Sequence, residues 1–415
     1  MAEPGAIADA ASQLALRTVA RWADGTSGAS LTVEGPGSRS VRLGAEQGSL
    51  QATIRLRDRR AVAAVLAGGS AGLAESYASG WWDSKDTTAA VRALLRLSTP
   101  FRSGLDRVGR SRPGRVVAAV RAGRGPSAAA DRDRIAAHYD LSNDLFALML
   151  DPTMTYSCAV FEHPDATLEA AQLAKVDRLA AKLELTSSDH VIEIGTGWGG
   201  LAIRLAQTVG CRVTTTTISE AQRSYAQDRV RRLALEKQVT VIGDHYRELR
   251  GTFDALVSVE MIEAVDWRHH DEFFSCCARL LAPSGRMALQ AITMADQSFD
   301  RAKQHQDFIR RTIFPGGCIP SMASMTASVA RTGNLRLVDV EDIGLHYAET
   351  LRRWQERFGA QEAAAAALGF DERFRRLWHL YLAYCQAAFL ERHISDVQMV
   401  LARPGWAPRR RVRPC

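Results

Sequence analysis

One stretch of the chain is dense enough in glycine to bring backbone directly against a ligand: Val191-Ile-Glu-Ile-Gly-Thr-Gly-Trp-Gly-Gly200. A strand, a glycine turn and a helix start follow one another there. Such a turn offers close approach, unpaired N–H groups and the positive end of a helix dipole. Gly195, Gly197 and Gly200 satisfy G-x-G-x-x-G, so a dinucleotide is one reading. It requires an acidic residue about 20 positions on, to hold a ribose. The next strand ends instead in Thr214-Thr-Thr-Thr-Ile-Ser219, and the nearest acid is Glu193, ahead of the first glycine. Ligands of open sheets sit at the carboxyl ends of strands. That adds Thr217, Ser219 and Gln222 after the second strand, His245 and Tyr246 after the third, and Glu260, Met261 and Glu263 after the fourth. Glu260 and Glu263 share a face if a helical turn begins there, and two close carboxylates raise one pKa, as suits a proton acceptor.

The elements that must position these residues alternate from about residue 165. Helical patterns cover 168–185, 201–209, 220–235 and 273–281; strand patterns cover 191–194, 212–218, 239–242, 255–259 and 286–292. This spacing predicts an α/β fold with a doubly wound parallel sheet. Further helices are expected around 349–358 and 370–393. Strand-like and helical pieces in residues 1–100 predict a small α+β domain. Residues 101–134 hold nine arginines with glycine, serine and proline and read as a basic linker, within which Val116–Val120 could form a short amphipathic helix. The main domain is then expected over 135–402, followed by a basic tail at 403–415.

The chain has 415 residues, a net charge of +7, 46% hydrophobic and 24% charged residues. That composition is globular and excludes disorder or a fibrous form for the bulk. No apolar run reaches the ~18–20 residues of a membrane span. The seven cysteines form no C-x-x-C pair and no zinc spacing, so no metal site is expected. Met1-Ala-Glu-Pro-Gly lacks the basic and apolar regions of a secretory signal, so none is expected; an odd cysteine count without a framework fits a reducing cytosol, and a cytoplasmic location is expected.

Acid-x-Gly-x-Gly resembles motif I of the S-adenosylmethionine (AdoMet) methyltransferases, and favours AdoMet over a nicotinamide cofactor. Four further segments make the resemblance specific: His138-Tyr-Asp-Leu-Ser-Asn-Asp-Leu-Phe146, Met154-Thr-Tyr-Ser-Cys-Ala159, Phe314-Pro-Gly-Gly-Cys-Ile-Pro-Ser321, and His346-Tyr-Ala-Glu-Thr-Leu351 with Trp354 and Arg357-Phe358. Together they resemble the cyclopropane fatty acid synthase family, including its mycolic acid branch, over about residues 70–402. Glu75-Ser-Tyr and Gly80-Trp-Trp-Asp83 resemble the N-terminal domain of the phospholipid-acting members. The resemblance implies a Rossmann-like class I methyltransferase domain. It also implies AdoMet contacts from Tyr156, Ser157, Glu193, Gly195, Gly197, Trp198, Gly199, Thr217, Ser219, Gln222, His245 and Tyr246. Trp198 could equally fill the helix–sheet interface.

In that family a sulfonium methyl is held in line with an isolated alkene in a dry site. Methyl addition leaves a carbocation, and a base removes a proton. That proton loss either closes a cyclopropane or leaves an exomethylene branch. The base is generally taken to be bicarbonate held by Cys, Glu, His, a backbone amide and Tyr. These positions fall on Cys158, Glu263, Gln290, the amide of Ile292, and Tyr347. Gln290 stands at the His position; it can orient an anion but cannot exchange a proton at neutral pH. Glu260 stands where the family has glycine. Glu260 and Glu263 are therefore expected to replace part of the His–bicarbonate arrangement. The segments E-I-G-T-G-W-G, S-V-E-M-I-E-A-V and Q-A-I-T-M resemble the subgroup making 10-methylene fatty acids, whose product needs a separate reductase for saturation.

The expected enzyme is thus an AdoMet-dependent C-methyltransferase acting on unsaturated phospholipid acyl chains. It would be peripheral at the inner face of the membrane, with a reductase and a second copy of itself as candidate partners. The rival readings are methyl transfer to a small soluble acceptor and a lipid-binding relative without turnover. A nucleic-acid substrate is not expected, because no N/D-P-P-Y-type motif follows the fourth strand.

Overall fold

The computed structural model describes residues 28–35, 40–97, 142–332 and 334–408. The expected linker, the segment His138–Leu141 and the tail from residue 409 lie outside them. The chain forms two compact units. One joins residues up to 124 with 307–311 and 358–392; the other holds 125–306, 312–357 and 393–415.

The first unit contains a four-stranded sheet in the order β2-β1-β3-β4, built from β1 (Ala29–Glu34), β2 (Ser40–Gly44), β3 (Leu50–Leu56) and β4 (Trp82–Asp83). The helix Arg60–Ala78 runs through a kink at Gly69 (φ +56°, ψ −130°). Helix Glu372–Leu390 packs in this unit, although the sequence grouped it with the following domain. The segments resembling the N-terminal domain explain why. Arg373 donates to Glu75 at 2.6 Å, and Arg376 to Asp83 at 2.8 Å. The Arg376 guanidinium also lies 4.4 Å over the Tyr77 ring, whose hydroxyl meets His379 Nδ1 at 3.1 Å. At the far end Glu391 accepts from Arg92 and Arg96. Trp82, buried beside Tyr77, donates Nε1 to Ser76 Oγ at 3.0 Å.

The second unit is a seven-stranded sheet with helices on both faces. Its strands are β5 (His190–Ile194), β6 (Arg212–Thr216), β7 (Val239–Ile242), β8 (Phe253–Val259), β9 (Leu281–Met294), β10 (Arg336–Asp342) and β11 (Ile394–Ala402), in the order β10-β11-β9-β8-β5-β6-β7. β5 to β9 are parallel to one another, as expected. The sheet is nevertheless mixed, because β11 runs antiparallel to β9 and β10 antiparallel to β11. An antiparallel edge on a parallel sheet is a common variant. Here it is hard to see in advance: β10 is exposed along nearly its whole length and lacks the apolar run of a buried strand. Apolar clusters cover both faces, one around Phe273, Leu289 and Met399, the other around Leu179, Leu201 and Val213.

The chain leaves β5 toward β6 and β7, then crosses to β8 on the other side of β5. That reversal is the topological switch point, where an open sheet leaves a crevice beyond its strand ends. The glycine turn after β5 and the Glu260–Glu263 segment after β8 border it.

Candidate active site

The glycine turn is held from below. The backbone N–H groups of Gly195 and Thr196 both donate to the Thr216 carbonyl at 3.0 Å. Glu193, 3% exposed, accepts from Thr215 Oγ1 at 2.5 Å, and Thr215 Oγ1 meets Thr196 Oγ1 at 2.6 Å. This chain of contacts ties the first strand to the second and to the turn. Burial raises the Glu193 carboxyl to about 8, against the opposing pull of Thr215 and Lys175, so the group is neutral at pH 7.

The turn itself suits a bound cofactor. Gly197 is left-handed (φ +49°), and a Cβ there would meet no atom within 4 Å, so its surface is open. Gly199 (φ +87°) begins helix Gly200–Thr208 with no side-chain cap, which leaves the first helical N–H groups for a ligand. Trp198 is 2% exposed, its ring lies tilted against Phe146 with centroids 4.9 Å apart, and it donates Nε1 to Asn143 Oδ1 at 2.8 Å. Its indole therefore packs in the interior, under helix Asn143–Met149.

Thr217, Ser219 and Gln222 form a buried cap network at the end of β6: Thr217 Oγ1 donates to Gln222 Oε1 at 2.9 Å, and Ser219 Oγ accepts from the Gln222 amide. His245 and Tyr246 are buried after β7, their rings 4.6 Å apart. Ser157 Oγ accepts from Lys175 Nζ at 2.6 Å, and Tyr156 lies 5.0 Å from Phe146 and 5.1 Å from Trp354. The rings of Trp198, Phe146, Tyr156, Trp354 and Tyr347 thus form a continuous aromatic line from the turn toward the β8 segment.

On that segment the residues expected to hold an external anion converge on a side chain. Glu260 Oε1 accepts from the Cys158 backbone N–H and from Gln290 Nε2, each at 2.8 Å. Glu260 Oε2 accepts from the Tyr347 hydroxyl at 2.6 Å. Cys158 contributes its amide; its thiol, raised well above its ordinary value by burial, points to the carbonyls of Ala159 and Ile343. Glu260 adopts φ +48°, a left-handed backbone that costs a side-chained residue about 1 kcal/mol or more. Glycine takes that conformation without strain. The Glu260 N–H bonds to the Gln290 carbonyl at 2.8 Å and holds the bend.

The helical face expected for Glu260 and Glu263 does not form. Glu260 is left-handed, and only the short 3-10 turn Ile262–Ala264 follows it. Glu263 instead accepts from the Ile292 N–H, while its other oxygen is buried without a partner. Burial first, and the Glu260 charge second, push the Glu263 carboxyl up to about 8.

Two further groups were not singled out from the sequence. Asp396, fully buried on β11, accepts from Gln290 Nε2 at 3.1 Å. Lys175, 1% exposed on helix Leu168–Lys182, carries a lowered pKa from burial, opposed by Glu260, Cys158 and Asp396. A lysine among apolar helix positions was the available signal; Asp396 had none. Cys276 and Cys277, on helix His270–Leu280, are core residues.

A glycine turn at the switch point, an uncapped helix start and a line of aromatic rings leading to buried carboxylates are the arrangement of a class I AdoMet-dependent methyltransferase, and the chain is one. Residues 127–399 match the family model described as mycolic acid cyclopropane synthetase, and the chain belongs to that family. It is 40% identical over 359 residues to tuberculostearic acid methyltransferase UfaA1 of Mycobacterium tuberculosis, covering 81% of this chain and 80% of that one. It is 36% identical over 367 residues to the cyclopropane-fatty-acyl-phospholipid synthase of Escherichia coli, covering 86% and 89%. Among solved structures, the cyclopropane synthase MmaA2 from Mycobacterium tuberculosis superposes with a TM-score of 0.62 at 31% identity, over 66% of this chain and 98% of that one. Mycolic acid cyclopropane synthase CmaA1, solved with SAH and CTAB, superposes with a TM-score of 0.61.

Proposed function

We propose that this protein transfers a methyl group from AdoMet to the cis double bond of unsaturated acyl chains in phospholipids, and that the Glu260 carboxylate is its base. The carrying observation is the convergence of Cys158 N–H, Gln290 Nε2 and Tyr347 OH on Glu260. These are the positions that in the resembled family hold bicarbonate. All three are donors here, and the acceptor they surround is part of the chain.

Bound AdoMet supplies an electrophilic sulfonium methyl. Gly195, Gly197 and Gly199 would hold it through backbone, with Thr217, Ser219 and Gln222 at the next strand end. The aromatic line through Tyr156, Trp354 and Tyr347 excludes water and presents ring faces to the cation left on the acyl chain. Glu260 then accepts a proton from the transferred methyl: a C–H bond breaks, an O–H bond forms on the carboxylate, and the C–H electron pair forms a new bond from that carbon to the cationic carbon. Neutral Glu263, fixed on the Ile292 amide, contributes shape and polarity. The greater identity to the tuberculostearic acid methyltransferase than to the E. coli synthase favours a hydride shift from the methyl-bearing carbon to its cationic neighbour before the methyl loses its proton, giving a 10-methylene product that a partner reductase saturates. Among the described residues no helix is long and apolar enough to cross a membrane, in keeping with peripheral attachment to the inner membrane face.

The test is methyl incorporation from labelled AdoMet into oleoyl phospholipid vesicles, beside soluble acceptors, with NMR of the product lipid. Vinylidene protons identify the methylene branch and shielded ring protons a cyclopropane. Labelling confined to a soluble acceptor would overturn the proposal.

A further inference from the structure

The Glu260 carboxylate is oriented through a second layer of buried groups contributed by β11. Gln398 on that strand donates Nε2 to Gln290 Oε1 at 3.1 Å. The Gln290 amide nitrogen faces only acceptors, the Glu260 and Asp396 carboxyl oxygens and the Cys158 carbonyl, so its Nε2 lies on the acidic side and its oxygen toward Gln398. From there Nε2 reaches both Glu260 Oε1 at 2.8 Å and Asp396 Oδ2 at 3.1 Å. Asp396 and Gln398 are both fully buried and lie opposite Ile292 and Gln290 in the β9–β11 register. The groups facing Asp396 are Glu260 and Glu263 from the β8 segment, Lys175 from its helix, and the Cys158 thiol. Tyr347 from helix Gly344–Ala360 completes the surround through Glu260.

Charge counting limits what Asp396 can be. Lys175 brings at most one positive charge, whereas Glu260, Glu263 and Asp396 together could bring three negative ones. A buried cluster does not sustain that excess. Glu260, with donors on both oxygens, is the group arranged to carry charge. Asp396 has the Gln290 amide on Oδ2, the weakly donating Cys158 thiol beside it, and no donor on Oδ1.

We propose that Asp396 is a positioning residue for the proton transfer, working as a hydrogen-bond donor to Glu260 while it accepts from Gln290. Burial, followed by the charge and hydrogen bonding of Glu260, pushes the Asp396 carboxyl well above its ordinary range, which agrees with the donor form. In that form it keeps the base aimed at the reacting carbon, and it needs no proton of its own to leave. The inference rests on the Glu260 reading above.

Asparagine reproduces the arrangement, with its amide nitrogen toward Glu260 and its oxygen toward Gln290; leucine reproduces only the volume. The full chain, with oleoyl phospholipid vesicles and labelled AdoMet, is compared as wild type, Asp396→Asn and Asp396→Leu. A misaimed base costs on the order of a hundredfold. Asp396→Leu is expected to lower kcat by about that factor with an unchanged KM for AdoMet. Asp396→Asn is expected to stay within about tenfold of wild type with the same pH–kcat profile. An Asp396→Asn enzyme as slow as Asp396→Leu, or one whose profile loses its acid limb, would show that the ionised form is required and overturn the proposal. Leucine at wild-type rate would overturn it as well. If Asp396→Leu fails to bind AdoMet by calorimetry, the rate and pH profile of Asp396→Asn decide alone. Wild-type enzyme inactive on the vesicles would instead reject the functional reading itself.

Discussion

Replacing Glu260 with glycine should convert a built-in base into a binding site for a free one. The substitution removes the carboxylate that takes three donors. A positioned base contributes about 10²–10⁴ in rate, which at about 1.4 kcal/mol per tenfold is a barrier increase of about 3–5 kcal/mol. Stability should change far less. Three lost hydrogen bonds are worth about 1 kcal/mol each, while relief of the left-handed backbone at φ +48° returns about 1–2 kcal/mol. Entering water satisfies part of the remainder. Glu260→Gly is therefore expected to fold, to bind AdoMet, and to lose two or more orders of magnitude in methyl transfer. The vacated space keeps the Cys158, Gln290 and Tyr347 donors, and Ile292 is adjacent through Glu263, so added bicarbonate should restore at least about tenfold of the lost rate. Glu260→Gln fills the same space without a base and should be slow and refractory to bicarbonate. Vesicle assays with labelled AdoMet in carbon-dioxide-depleted buffer, with and without bicarbonate, measure all of this. Wild-type activity that collapses on depletion, or Glu260→Gln within about twofold of wild type, refutes the reasoning.

Glu193, with its carboxyl raised to about 8, binds its proton in the folded state over a range where the unfolded chain has released it. Its contribution to stability therefore falls as pH rises from about 4.5 to about 8, by up to about 1.4 kcal/mol per unit. Glu193→Gln should narrow the difference in melting temperature between about pH 6 and about pH 9 in thermal scans. Glu263, raised to about 8 by burial and by Glu260, ionises beside the base as pH climbs through that value. Wild-type kcat should fall above it, and that alkaline fall should be absent from the pH–rate profile of Glu263→Gln. Thr215→Val breaks the Glu193–Thr215–Thr196 chain beneath the turn; the loss of about 1–2 kcal/mol should weaken AdoMet binding by about tenfold in calorimetry, with far-UV circular dichroism unchanged.

What the sequence made legible is what neighbouring residues decide. The turn after β5 could be read because glycine spacing, a strand and a helix start lie within ten residues; β5, β7, β8 and β9 because each carries its own apolar residues, and β6 because its valine and threonines are β-branched. Asp396 was invisible for the opposite reason. In Ile394-Ser-Asp-Val397 it looks like an exposed turn residue at the end of a helix, and only the antiparallel return of β11 against β9 buries it beside Gln290. The helix Glu372–Leu390 was assigned by its place along the chain, whereas its arginines are matched to Glu75 and Asp83, about three hundred residues earlier. Glu260 lies between these cases. Its departure from glycine was readable, but the expected helix face with Glu263 assumed an ordinary backbone. The left-handed bend turns its side chain onto Cys158, Gln290 and Tyr347 instead. Keeping the bend that suits glycine while adding a carboxylate costs strain, and the three donors already in place offset it. With glutamine in place of histidine at 290, the substitution at 260 would carry the proposed base from solution into the chain without displacing the Cys158 and Tyr347 donors.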